Sequence, residues 1–324
     1  MTRFSLLTLP WLSCTLSLFL LNENSSKVYA QQERREATVI LDGKDVLVEG
    51  PGSPFVKQSL SSTSSSDDNE DGFVYVLEET KPILYFPNFL NVSTAEELRN
   101  FCNDQPGRWS KSPVRNNADD DADDVALNTK IRTSDSCALV PAATYLSAPS
   151  FATLRETLDE QPDHVVQIVR EVDVAWDITQ RAASLLKRDP TTVEPLQLVR
   201  YTHPDAFYKV HHDHGGFYGK ENLEHRPWTL LVFLNDVEEG GHTSFPKLNL
   251  EVKPRAGDAI AWSNVLNDAP TTADPDMVHA GEPPKGHGVE KYAVNIWFGE
   301  DLDIDKLTAQ AGQWSKAAAE NEEL

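Results

Sequence analysis

Tyr208-Lys209-Val210-His211-His212-Asp213-His214 is the stretch on which the reading of the chain turns. Read as a strand, its side chains alternate between two faces, so residues two apart point the same way. His211 and Asp213 then share one face, while His212 and His214 share the other. Taken alone the pattern stays open. A His-rich surface turn would produce it, and His212, His214 and a third His could hold zinc instead.

The neighbouring sequence is β-rich on both sides. Leu196–Tyr201, Thr229–Leu234, Leu248–Val252, Asp258–Trp262 and Tyr292–Phe298 are short apolar runs, divided by turn residues such as Gly240-Gly241, Pro254 and Gly257. Upstream the period changes. Val92–Cys102 carries a helix-start signature with Ser93 or Thr94 as cap, and Val165–Leu186 has apolar residues at helical spacing before the stop Lys187-Arg188-Asp189-Pro190. Helices first and many short strands afterwards predict an α+β fold. Residues 73–195 form its helical and strand part, and 196–300 form a jelly roll, or double-stranded β-helix.

Outside that body the composition shifts. Residues 1–30 combine a short basic start, an apolar run from Phe4 to Leu21 and the small-residue site Val28-Tyr29-Ala30. They read as a secretory signal peptide or an uncleaved signal anchor, the latter giving a membrane attachment. Residues 31–72, with Ser59 to Ser66 nearly all Ser and then Asp67-Asp68-Asn69-Glu70-Asp71, read as a linker too polar to bury a core, so structure is expected from about Phe73. Asp119–Asp124 reads as a solvated acidic loop without the Gly and terminal Glu of a calcium loop, and 301–324 as a polar tail. Its last residues, Asn321-Glu322-Glu323-Leu324, faintly resemble an ER-retention tetrapeptide.

The chain has 324 residues and a formal net charge of −22, which argues against a nucleic-acid partner, whose phosphates need Lys and Arg. Such an excess keeps a protein soluble and could also steer basic polypeptides. Beyond the leader only Cys102 and Cys137 remain. They could form one disulfide or stay as two buried thiols. Asn91-Val92-Ser93 is a sequon, so Asn91 is a glycosylation candidate if the chain is translocated.

A His-x-Asp pair joined by one distant His makes the two-His-one-carboxylate facial triad of non-haem iron(II) oxygenases, which leaves three positions of an octahedron open for oxygen and a bidentate cosubstrate. His279, in Val278-His279-Ala280-Gly281, is the candidate for the distant ligand. Further segments then line up in order. They are Arg132-Thr133-Ser134, Leu196-Gln197 through Tyr201, Tyr208 through Asp213, Arg226-Pro227-Trp228-Thr229 with Phe233-Leu234-Asn235-Asp236-Val237, Gly240-Gly241-His242-Thr243-Ser244-Phe245, His279-Ala280-Gly281, and Lys291 through Trp297.

With these segments the stretch from about Val76 to Glu300 resembles the prolyl 4-hydroxylase family of iron(II)- and 2-oxoglutarate-dependent dioxygenases. The resemblance implies His211, Asp213 and His279 as iron ligands. It implies Lys291 on the distal carboxylate of 2-oxoglutarate, with Tyr201 and Thr243 adding hydroxyl contacts, and Tyr208, Arg226 and Trp297 facing a peptide. A buried dianion needs a fixed cation, and an extended proline-rich chain offers rings to aromatic surfaces, so the physics agrees. Iron(II), 2-oxoglutarate, O2 and ascorbate as reductant are the implied cofactors and a proline-rich polypeptide the implied partner, while the leader and the C-terminal tetrapeptide point to the ER or Golgi lumen. A lysyl or small-molecule dioxygenase and a non-catalytic binding protein are the competing readings. Three departures stand out. His279 to Lys291 spans about two residues more than the family's spacing, which makes Lys285 a rival to Lys291. His242 replaces a customary Glu, and Glu282 a customary Cys.

Overall fold

The computed structural model describes residues 36–59, 73–78, 80–112, 130–215 and 225–299. The expectations for residues 1–30, for the Ser-rich run from 60 onward, for Asp119–Asp124 and for 301–324 lie outside them. No helix among the described residues is long and apolar enough to cross a membrane.

Fifteen strands appear among the described residues: β1 (Thr38–Leu41), β2 (Lys44–Leu47), β3 (Val56–Ser59), β4 (Phe73–Glu78), β5 (Ile83–Phe86), β6 (Ser110–Lys111), β7 (Asp135–Ala138), β8 (Gln197–Tyr201), β9 (Tyr208–His211), β10 (Trp228–Phe233), β11 (Thr243–Phe245), β12 (Leu250–Val252), β13 (Ala259–Ser263), β14 (His279–Gly281) and β15 (Lys291–Phe298). They form two antiparallel sheets. One runs β2-β1-β12-β11-β14-β9 and the other β3-β4-β5-β13-β10-β15-β8-β7-β6. Four helices accompany them: α1 (Val92–Asn103), α2 (Ala142–Ser147), α3 (Pro149–Glu156) and α4 (Asp163–Leu186). The α+β class and the jelly-roll core expected from sequence are present.

The larger sheet is buried on both faces, which is why β10 reads as the near-continuous apolar run Thr229-Leu230-Leu231-Val232-Phe233. Leu230 and Val232 join Val294 and Ile296 of β15, Leu98 and Phe101 of α1, and Val169 and Val172 of α4 in a helix-side core. The alternate residues Leu231 and Phe233 face the other sheet. There they pack with Val199, Ala293, Phe245, Leu250 and Val252. A buried Leu removed from such a core typically costs about 2–5 kcal/mol, so the helix layer holds the large sheet in place. The same alternation on β15 turns Lys291, Ala293, Asn295 and Trp297 toward the space between the sheets.

Two expectations are corrected. The segment 31–72 is not a linker throughout, because Ala37 to Ser59 is structured. Asp42 and Gly43 both adopt positive φ, the geometry of a two-residue hairpin turn, and join β1 to β2 with Leu41 opposite Lys44. β1 then pairs with β12 through Val39 and Val252 and extends the smaller sheet. The cap of α1 is Asn91, not Ser93 or Thr94. Its side chain accepts the Thr94 backbone N–H at 2.7 Å and also the Ser93 hydroxyl. α4 ends as expected near Lys187, which takes a left-handed conformation.

Cys102 on α1 and Cys137 on β7 form a disulfide with an S–S distance of 2.04 Å. It ties the helix layer to the strand that pairs with β8.

Candidate metal and anion site

His211 ends β9 and His279 begins β14, and the two residues are register partners across the smaller sheet. Asp213 lies two residues beyond the end of β9 on the same face. One ligand atom from each of His211, Asp213 and His279 lies within 4.8 Å of the others. His211 Nε2 stands 3.6 Å from Asp213 Oδ1, and His279 Nε2 stands 3.6 Å from Asp213 Oδ2. His212 faces away, buried, with Nε2 against the Asp274 carbonyl at 2.9 Å. The alternation drawn from sequence therefore holds, although the strand itself stops at His211.

Each ligand is held from behind. His211 Nδ1 meets the Lys209 carbonyl at 2.9 Å, and His279 Nδ1 meets the Met277 carbonyl at 3.0 Å. A carbonyl can only accept, so both Nδ1 atoms carry the proton and both Nε2 lone pairs face the gap. Burial holds the His279 imidazole down to about pKa 4, with His211 adding to the effect, so this ring is neutral at physiological pH. Burial alone would raise the Asp213 carboxyl, yet His279, His211 and Arg226 bring it well below its ordinary range. Asp213 Oδ2 also accepts the Thr229 hydroxyl at 2.7 Å and the Trp297 indole N–H at 3.1 Å. Two imidazoles and one carboxylate on one side of an open space suit a divalent metal of the iron class.

Deeper in the same pocket sits Lys291, 2 % exposed. Its Nζ approaches only the His242 carbonyl, at 3.4 Å, and it has no ion pair among the described residues. Burial lowers its ammonium to about pKa 7, with Glu282 acting in the opposite direction. Thr243 lines the same space, and its buried hydroxyl oxygen has no hydrogen-bond partner among the described residues. Tyr201 reaches in from β8, with the Lys291 ammonium 5.0 Å from its ring centre. Gly281 leaves room for that ring, since a Cβ there would collide with the Tyr201 hydroxyl. A buried cation and an orphaned hydroxyl fit a small anion, and their place beside the three ligands fits one that also reaches the metal. Lys285, the rival in sequence, is exposed on the loop that packs on Gly240.

At the mouth, the Tyr208 ring stacks on His211 with centres 3.5 Å apart, and the Arg132 guanidinium lies 4.4 Å above Tyr208. Trp297 lines the pocket too. Arg226 does not. Its guanidinium is bound in a two-pronged pair with Glu194, at 2.5 and 2.7 Å, and lies 3.9 Å over the Trp297 ring. These contacts brace the Trp297 ring from behind, and the expectation that Arg226 faces a peptide stays an expectation. Arg132 and Thr229 were quoted within sequence motifs without a site role. Thr229 lies opposite both Trp262 and Trp297, and its hydroxyl bond to Asp213 is visible only in the folded structure.

Residues 196–299 match the family model described as the 2OG-Fe(II) oxygenase superfamily. A "Putative prolyl 4-hydroxylase" of Acanthamoeba polyphaga mimivirus is 37% identical over 113 residues, covering 33% of this chain and 45% of the relative. "Prolyl 4-hydroxylase 2" of Arabidopsis thaliana is 31% identical over 144 residues, covering 37% of this chain and 45% of that protein. The chain thus spans about half the length of the curated relatives it matches. Among solved structures, a viral collagen prolyl hydroxylase from Paramecium Bursaria Chlorella virus-1 aligns at 19% identity and a TM-score of 0.42, over 67% of this chain and 95% of that one.

Proposed function

We propose that this protein is an iron(II)- and 2-oxoglutarate-dependent dioxygenase of the prolyl 4-hydroxylase kind, which hydroxylates prolyl residues in other polypeptides; the match of residues 196–299 to the 2OG-Fe(II) oxygenase superfamily and the likeness to prolyl 4-hydroxylases support this reading. The observation that carries the proposal is a single pocket holding a His-Asp-His face and a buried lysine without an ion pair among the described residues. His211, Asp213 and His279 would hold the iron, Lys291 would bind the far carboxylate of 2-oxoglutarate, and Tyr201 and Thr243 would hydrogen-bond it. Bound iron supplies oxygen activation coupled to conversion of 2-oxoglutarate to succinate and CO2, with ascorbate as a reductant. The chain's own part is to fix the ligands, neutralise the dianion and keep water out of a space walled by Leu231, Trp262 and Ala293.

The substrate end rests on Tyr208, Arg132 and Trp297 at the opening. Flat aromatic surfaces suit the projecting rings of an extended proline-rich chain, whose preformed helix loses little entropy on docking. Trp297 also holds Asp213, so Trp297→Ala would lower both peptide use and uncoupled 2-oxoglutarate turnover. The disulfide supports an oxidising compartment, which we propose to be the ER or Golgi lumen, entered through residues 1–30 as a leader or an anchor. Asn91 is exposed and is the proposed glycan acceptor there.

The test is mass spectrometry of proline-rich, lysine-rich and free amino-acid substrates incubated with the protein, iron(II), ascorbate and 2-oxoglutarate. Added oxygen on proline supports the proposal. Oxygen added only to lysine, or only to a free amino acid, would overturn the prolyl assignment. Metal binding without succinate release from any substrate would leave a non-catalytic binding protein.

A further inference from the structure

Asn264 is fully buried just after β13, and its side chain has an unusual set of partners. Its Nδ2 donates to the Arg226 carbonyl at 3.0 Å and to Thr229 Oγ1 at 2.9 Å, while its Oδ1 accepts from Trp262 Nε1 at 2.9 Å. A backbone carbonyl can only accept and an indole N–H can only donate. The orientation of the amide is therefore fixed from both ends. Its main chain is pinned as well, with the Asn264 N–H on the Pro227 carbonyl at 2.8 Å and the Asp274 N–H on the Asn264 carbonyl at 2.9 Å.

We infer that Asn264 is a positioning residue for the Asp213 carboxylate, acting by setting the direction in which the Thr229 hydroxyl points; this rests on reading His211, Asp213 and His279 as a metal site. The Thr229 oxygen accepts a hydrogen bond from the Asn264 amide, so its own O–H is turned away from Asn264 and donates to Asp213 Oδ2 at 2.7 Å. The donors run in one direction, from Trp262 through Asn264 and Thr229 to the carboxylate. Trp262 also packs edge-on against the His279 ring, with centres 4.7 Å apart, so Asn264 is linked to two of the three ligands. Without the amide donor, the hydroxyl is a free rotor and the carboxylate loses one of its two fixed hydrogen bonds.

The experiment measures Mn(II) affinity by calorimetry on the full-length metal-free protein, with the melting temperature of each variant alongside. Asn264→Asp keeps the acceptor for Trp262 but puts an acceptor where Thr229 needs a donor, turning the hydroxyl away from Asp213. It also adds negative charge near a cation site, so a merely electrostatic effect would tighten binding. The expected result is the opposite, a loss of about 10-fold or more, the usual effect of an outer-shell partner. Thr229→Val should lose a similar amount, Thr229→Ser should bind like the wild type, and Asn264→Asp combined with Thr229→Val should bind no more weakly than Thr229→Val alone. Unchanged or tighter binding in Asn264→Asp would overturn the inference, as would losses that add in the double variant. Should Asn264→Asp fail to fold, Trp262→Phe removes the first donor and keeps a ring. It should weaken binding by a smaller factor and add nothing to Thr229→Val, and an additive loss would overturn the inference equally. If the wild type does not bind Mn(II), or His279→Ala binds as the wild type does, the metal reading itself falls.

Discussion

Lys291→Ala is expected to leave the fold intact and to raise the 2-oxoglutarate requirement by about two to three and a half powers of ten, because removing one partner of a buried charge pair costs about 3–5 kcal/mol. The size of the effect follows from where the ammonium sits. It is buried at the inner end of the pocket with no ion pair among the described residues, and the other cation lining that pocket, Arg132, is held on the Ser134 hydroxyl and over the Tyr208 ring. Lys285→Ala should change the requirement little, since Lys285 is exposed. A pH dependence accompanies this. Burial brings the free Lys291 to about pKa 7. A dicarboxylate binds the charged form, so affinity should be level below about pH 7 and fall as pH rises through that value, with proton uptake on binding. Calorimetric titration in buffers of different ionisation heat reads both the affinity and the protons. Affinity that rises with pH, or a Lys291→Ala protein that binds 2-oxoglutarate normally, would remove Lys291 as the anchor.

Asp213→Ala is expected to abolish turnover and to weaken metal binding by more than the roughly 10–100-fold typical of an outer-shell change, and His279→Ala should do the same. Each removes one of the three ligand atoms clustered within 4.8 Å. Asp213 has the further burden of supplying the only negative charge among the three, so its loss leaves two imidazoles facing a dication. His212→Ala is the control, because that ring points away to the Asp274 carbonyl. It should cost stability through an empty buried space while sparing metal affinity. Activity lost in His212→Ala but kept in His211→Ala would reverse the assignment of faces. Metal titration and melting curves separate the two kinds of loss.

These two sites were legible in sequence for different reasons. The His211 and Asp213 pairing needs only the alternation of a strand, and it survived even though β9 ends at His211. His279 followed from the need for one distant His to complete the triad, since β14 is three residues long and no period can be read from it, while Lys291 came from the resemblance. β11 was hidden for the same reason. β1 and β2 escaped notice because their apolar residues are few and the polar run after them dominated the composition, although Asp42-Gly43 marks a hairpin turn. The bracing groups were out of reach altogether. Arg226 and Glu194 are 32 residues apart, and Thr229 meets Asp213 across 16, so only the folded register shows that they touch.

The bond between Cys102 and Cys137 has a consequence for how the chain responds to cutting. Any single cleavage between the two cysteines leaves both pieces on one covalent unit, with Arg132 and Ser134 still tethered on the pocket side. A protein nicked there would migrate as an uncut chain in a non-reducing gel and separate into two fragments only once reductant is added. Loss of mass without reductant would mean that the break lies outside the bridged loop.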